Sequence, residues 1–220
     1  MYLGRALTES AKADKAKHIL DTTYKLYQQS TFNDIRMIDI AQEAAISKGT
    51  LFNYFSTKEK LFTELLNSEH DRRLRNLIEL IKPYKEMGHS EFKRMFLIEM
   101  DGILDDKTVL MRLTAIKYLV LDKNIDYRTA INAKMKMYAY VEELSDMLAE
   151  RINYMTKKDG LDLLMAQYAI CIGYMNVISI PDIVKETIEE NQLEGFKVDF
   201  RKNALRTMAY YLDGLYKNRV

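Results

Sequence analysis

The sequence predicts an all-α chain, a three-helix N-terminal domain (1–57) followed by a larger helical domain (58–220), and three observations predict it. Only 2 of its 220 residues are Pro and 8 are Gly, so turns are scarce and the elements between them long. Apolar side chains recur three and four residues apart, the stripe of amphipathic helices. No strand-length segment alternates apolar and polar residues.

In the segment Glu9 to Gln29, Ile19, Leu20, Thr23, Leu26 and Tyr27 fall at i, i+1, i+4, i+7 and i+8, which makes a first helix. Asn33 and Asp34 supply a turn, after which Met37, Ile40, Ala41 and Ala44 share one face of a short second helix. Ser47, whose hydroxyl can accept from the next turn's backbone, opens a third over KGTLFNYF. A fourth starts after Ser56 and Thr57 and stops before Pro83. The same logic gives helices near Glu91–Asp105, Thr108–Leu121, Tyr127–Met155, Asp159–Ile180 and Asp199–Lys217, with breaks at Gly88, Asp159-Gly160, Pro181 and Glu194-Gly195.

Composition narrows the function classes. Apolar residues at 48% suffice for a sizeable core. The one cysteine, Cys171, can form no intrachain disulfide and offers no thiolate cluster, which fits a reducing compartment and makes the cytoplasm the expected location. Neither the opening MYLGRALTES nor the run Ala166 to Ile180, interrupted by Gln167 and Asn176, reads as an export signal or membrane span, so no membrane partner is expected. A net charge of +1 leaves any polyanion to be met by a local patch.

The second and third helices, joined by a tight turn, have the dimensions of a helix-turn-helix, whose second helix lies in the DNA major groove. Leu51 and Phe55, four apart, share the face that packs on Ile40 and Ala41; Lys48, Thr50 and Asn53 lie opposite, where they can reach phosphates or base edges. The string ILDTTYKLYQQSTFNDIRMIDIAQEAAISKGTLFNYFSTKEKLF, Ile19 to Phe62, resembles the TetR family of bacterial transcriptional regulators, most densely in IAQEA and ISKGTLFNYFSTKEKLF. The resemblance implies a homodimer on double-stranded, palindromic operator DNA, most simply a repressor released by a small, largely apolar effector, with no cofactor, no metal and no catalysis. It implies further that Tyr54 and Lys58 hold phosphates, that Gly49 lets DNA approach the backbone, and that Arg36 and Met37 stand at the DNA-facing entry to the second helix. Phe52 stands where the family often has Tyr, so a thymine-methyl contact there replaces a phosphate hydrogen bond.

Three departures from the family pattern bear on geometry. Thr31 and Ala45 replace glycines at the end of the first helix and in the turn between the second and third, and a left-handed residue at either position carries strain of roughly 1 kcal/mol. Arg36 replaces a Thr or Ser that caps the second helix, which passes the capping to Asp34 or loses it.

In the larger domain, Leu161, Leu164, Tyr168, Ile172 and Met175, with Leu205, Met208, Leu212 and Leu215 of the last helix, form apolar stripes. The resemblance assigns these to a four-helix dimer interface; a core within the chain is the alternative. Met and Tyr are frequent in the central helices, and Met95, Met100, Met111, Tyr118, Met137, Tyr138 and Tyr168 are candidates to line an effector pocket, since Met fits irregular cavities and Tyr gives an apolar wall a polar tip.

His18, His70 and His89 lack ligand spacing and read as surface residues; Arg72, Arg73 and Arg75, and Asp101, Asp105 and Asp106, read as solvated faces. With no G-x-S-x-G, P-loop, G-x-G-x-x-G or H-E-x-x-H string, an enzyme using central carboxylates is the weakest class. A helical lipid or small-molecule carrier without functional DNA binding is the alternative to a regulator, and residues 1–60, with nine basic and seven acidic side chains, are only mildly basic.

Overall fold

The computed structural model describes residues 2–105 and 108–218; among these it has ten α-helices and no strand. They are α1 (Tyr2–Gln29), α2 (Met37–Glu43), α3 (Lys48–Tyr54), α4 (Lys58–Ile81), α5 (His89–Ile103), α6 (Val109–Ile116), α7 (Tyr127–Arg151), α8 (Lys157–Ile178), α9 (Asp182–Glu190) and α10 (Phe200–Lys217). The starts follow local chemistry: Ser47, Thr57, Thr108, Asp126, Thr156 and Asp199 each accept a hydrogen bond from a backbone N–H three residues on.

Two hydrophobic cores organise the helices. The first gathers Ile19 and Tyr27 of α1, Ile40 and Ala41 of α2, and Leu51 and Phe55 around Phe62, whose ring meets Tyr27 and Phe32 edge-on at 5.3 and 5.0 Å. The second lies among α4, α5, α7, α8 and α10 and includes Phe92, Phe96, Leu144, Leu163 and Leu212. α4 belongs to both, giving Leu61, Phe62, Leu65 and Leu66 to the first and Leu74, Leu77, Ile78 and Ile81 to the second. Its 24 residues make a rod of about 36 Å. Val109, Leu110 and Leu113 of α6 also enter the first core, so burial continues past residue 57.

Besides the earlier start of α1, at Tyr2 and not Glu9, the structure departs from the expected elements in four places. The helix expected over Thr108–Leu121 is α-helical to Ile116 and then widens into a π turn at Lys117–Leu121. α7 stops at Arg151, where its carbonyl accepts from the Met87 N–H at 2.8 Å. Asp159-Gly160 is no break: Asp159 closes a capping box on Thr156, and Gly160 sits inside α8 where a Cβ would lie 2.9 Å from the Ser145 Cα of α7. α9 was not expected at all, and none of its residues is buried.

α8 has the length and apolar character to cross a membrane. Here it packs against α7 and α10 with Leu163, Gln167 and Cys171 buried.

Candidate nucleic-acid interface

The turn that aims α3 is a Schellman motif. Ala44 ends α2, the Ile46 N–H donates to the Ala41 carbonyl at 3.0 Å and the Ala45 N–H to the Gln42 carbonyl at 3.0 Å. Ala45 occupies the left-handed position at φ 52°, where glycine is at no disadvantage and alanine is strained. Thr31 has no positive φ; it instead donates its N–H to the Asp34 carboxylate at 3.3 Å. His18 Nε2 lies 3.1 Å from the Ala44 carbonyl oxygen, so α1 also braces this turn. Ser47 then accepts from the Thr50 N–H at 3.0 Å and starts α3.

Leu51 and Phe55 are buried in the same core as Ile40 and Ala41. That burial turns Lys48, Gly49, Phe52 and Asn53 to solvent, with Thr50 and Tyr54 half-buried at the margins. Lys48 Nζ stands 5.8 Å from the Phe52 ring centre, and the Thr50 hydroxyl is 2.8 Å from that of Ser47. Beside Gly49 a Cβ would meet only the Ser47 hydroxyl, at 3.9 Å, so nothing within the chain requires glycine there.

At the entry to α2, Arg36 is the N-cap residue but has no acceptor with which to cap. Asp39 does part of that work, taking the Arg36 backbone N–H at 2.9 Å and the guanidinium at 2.7 and 3.0 Å. These bonds hold the Asp39 carboxyl below the usual carboxylate range. Asp34, engaged by Thr31, does not cap α2. Met37 and Tyr54 pack against the first core. Lys58 lies 4.2 Å over the Phe32 ring, and burial lowers its pKa.

Two contacts that sequence reasoning missed tie this region to the second domain. Lys60 pairs with Asp126 at 3.0 Å, linking α4 to the start of α7. Arg112 of α6 donates to the carbonyls of Tyr27, at 2.7 Å, and Ser30, with its guanidinium 4.2 Å over the Tyr27 ring. Neither has a local signal, since each partner is more than 60 residues away.

The effector-pocket candidates are not gathered round one cavity. Met95, Met100 and Met111 are buried in the second core with Met137 packed against it, whereas Tyr118 and Tyr138 are exposed. Tyr168 reaches Tyr118, hydroxyl to hydroxyl, at 3.2 Å. Of the dimer-interface candidates, Leu164, Met175, Met208 and Leu212 are buried within the chain itself, while Leu161, Tyr168, Ile172, Leu205 and Leu215 remain half-buried. Met165, on the same apolar stripe of α8, and Tyr210 of α10, which the sequence did not single out, are turned outward at 66% and 68% exposure, as is Val177 of α8.

Two residue clusters are corrected. His70 is no surface residue; burial pushes its pKa down to about 4. His89 is stacked on Tyr216 at 4.3 Å and bonded to Asp213 and Tyr154 at 3.0 and 3.1 Å. Arg73, unlike Arg72 and Arg75, is turned inward, while Asp101 is held by Arg201 and Asp106 lies outside the described residues.

Residues 19–65 match the model of the tetR family of bacterial regulatory proteins, and residues 90–219 that of the tetracyclin repressor-like C-terminal domain. An uncharacterized HTH-type transcriptional regulator of Bacillus subtilis (strain 168), YuxN, is 21% identical over 80% of this chain, which spans 62% of that protein's length. A fatty acid metabolism regulator protein of the same organism is 24% identical over 72% of this chain and 79% of its own. The TetR family repressor AlkX from Dietzia sp. strain DQ12-45-1b, implicated in biodegradation of n-alkanes, shares the fold with a TM-score of 0.57 at 16% identity, over 92% of this chain and 95% of that one.

Proposed function

The chain belongs to the TetR family of bacterial transcriptional regulators, and from that premise we propose that it is a cytoplasmic, homodimeric repressor released from a palindromic operator by a small, largely apolar effector. The observation that carries the reading is the outward face of α3. Its Lys48, Gly49, Phe52 and Asn53 are presented to solvent on a helix held rigidly by buried Leu51 and Phe55 and by the Ala45 turn.

In this reading α3 enters the major groove, where the Lys48 ammonium meets a phosphate or a base edge, the Asn53 amide a base edge and Phe52 a thymine methyl. Tyr54, Thr50, Arg36 and Lys58 hold phosphates and set the register, with Met37 supporting the entry to α2. Half-sites about 34–36 Å apart require two linked copies. The half-buried Leu161, Tyr168, Ile172, Leu205 and Leu215, with the outward Met165 and Tyr210, offer α8 and α10 as the dimer face. The effector acts by preferring one position of α4, because that rod is shared by both cores; a ligand with equal affinity for both positions changes nothing.

The test is selection of genomic fragments from the source organism by the purified full-length protein at moderate salt. Enrichment of one palindrome is the expected result. A folded dimer that enriches none overturns the reading in favour of a small-molecule carrier.

A further inference from the structure

Within the second domain a charged network crosses the interior, away from the exposed face of α3. Arg73, near the middle of α4, donates through Nε and Nη2 to Glu99 of α5 at 3.1 and 3.3 Å, and through Nη2 to the amide oxygen of Gln167 of α8. Gln167 is 1% exposed, and the side chains of Arg73 and Glu99 are 17% and 12% exposed. Of the groups close by, His70 is held neutral, the Cys171 thiol is pushed up to about 11, and Glu69 is already paired with Arg72, while Asp105 stands in the wall of the same cleft.

Arg73 and Glu99 form part of the wall of a cleft of about 480 Å³, within the size range of small-molecule sites. Tyr24 of α1, Ile103 of α5 and Val109 and Leu110 of α6 supply its apolar lining. Beside Gly102, on the same wall, a Cβ would meet nothing within 4 Å. The cleft lies against side chains of the first core, between α1, α4, α5 and α6, and the Arg73 guanidinium in its wall is one that a carboxylate already grips in fork geometry.

We infer that this cleft binds an amphipathic carboxylate, whose head group takes the place of Glu99 on Arg73 while its apolar chain lies along Ile103, Val109 and Leu110. Glu99 is the built-in occupant of the head-group position. Its displacement breaks the tie between α4 and α5 and so frees the rod that carries the DNA-binding domain. This last step rests on the regulator reading above; the binding site itself does not.

The test compares decanoate with its uncharged twin, 1-decanol, by titration calorimetry on the full-length protein. Wild type is expected to bind decanoate at least ten-fold more tightly. Glu99→Gln, which removes the competing anion, is expected to tighten decanoate about ten-fold and leave decanol unchanged. Arg73→Met alone strands a buried carboxylate, so the informative variant is Arg73→Met with Glu99→Gln, whose fold is checked by circular dichroism and which is expected to lose the preference. Equal binding of the two probes by wild type, including no binding of either, overturns the site, as does a preference that survives in the double variant. Operator affinity is read separately. Decanoate bound with the expected preference at unchanged operator affinity leaves the site standing and removes only its coupling to DNA.

Discussion

Ala45 and Gly160 show what one methyl group decides in this chain, with opposite signs. At φ 52° Ala45 carries about 1 kcal/mol of left-handed strain, part of which Gly would return as entropy of the unfolded chain. Ala45→Gly is expected to raise stability by about 0.5 kcal/mol, or the melting temperature by roughly 1–2 °C in calorimetry. At Gly160 the added methyl meets backbone at 2.9 Å, so Gly160→Ala forces α7 and α8 apart and is expected to cost about 1–2 kcal/mol, seen as a lower urea midpoint at constant slope. His70 sets a pH window. Its folded pKa of about 4 lies below the ordinary 6.5, so between those values the unfolded chain binds a proton that the folded chain refuses. Stability is expected to fall as pH drops from about 6.5 and to level off near 4, by up to about 3 kcal/mol, and His70→Gln to flatten that stretch of a pH series of melts.

Elements whose stability is local are the ones the sequence displays. α2, the turn and α3 were legible because Ser47 caps over three residues and Leu51, Phe55, Ile40 and Ala41 share one core at helical spacing. α9 was hidden because it lies between Pro181 and Gly195, which read as breaks, and because its apolar Ile183 and Val184 stay exposed. The inward turn of Arg73, and not of Arg72 or Arg75, is set by Glu99 and Gln167, 26 and 94 residues away, which no local pattern reports. Arg112 is similar, and it yields a test at this scale. A cation on the last carbonyls of α1 opposes the negative end of that helix, so Arg112→Met is expected to loosen the last turn of α1 and cost about 1–2 kcal/mol. Hydrogen exchange should quicken over residues 24–30 and stay unchanged in α8 and α10; equal change throughout would show that Arg112 merely adds to global stability.

Across the whole molecule the net charge of +1 supplies almost no long-range attraction, so in the proposed DNA-bound dimer affinity comes from a few cations around α3, counted twice. Arg36, Lys48 and Lys58 are the three per protomer, and six neutralised phosphates give a slope of log K against log salt of about −5. The free structure makes this number informative. Arg36 starts in the grip of Asp39, and Lys58 over Phe32, so each must exchange a partner for a phosphate, while Lys48 stands beside the Phe52 ring and pairs with no carboxylate among the described residues. If Asp39 keeps Arg36, only four phosphates are neutralised and the slope shrinks to about −3.6. Lys48→Ala should reduce its magnitude by about 2 in either case, and change sequence preference if the ammonium reaches a base edge. Tyr54→Phe should weaken binding alike on all sequences at unchanged slope, because a hydroxyl releases no counterion. A slope that Lys48→Ala leaves untouched would place the DNA on a different face of the dimer, for the exposed face of α3 cannot enter a groove without bringing Lys48 to the phosphates or the bases.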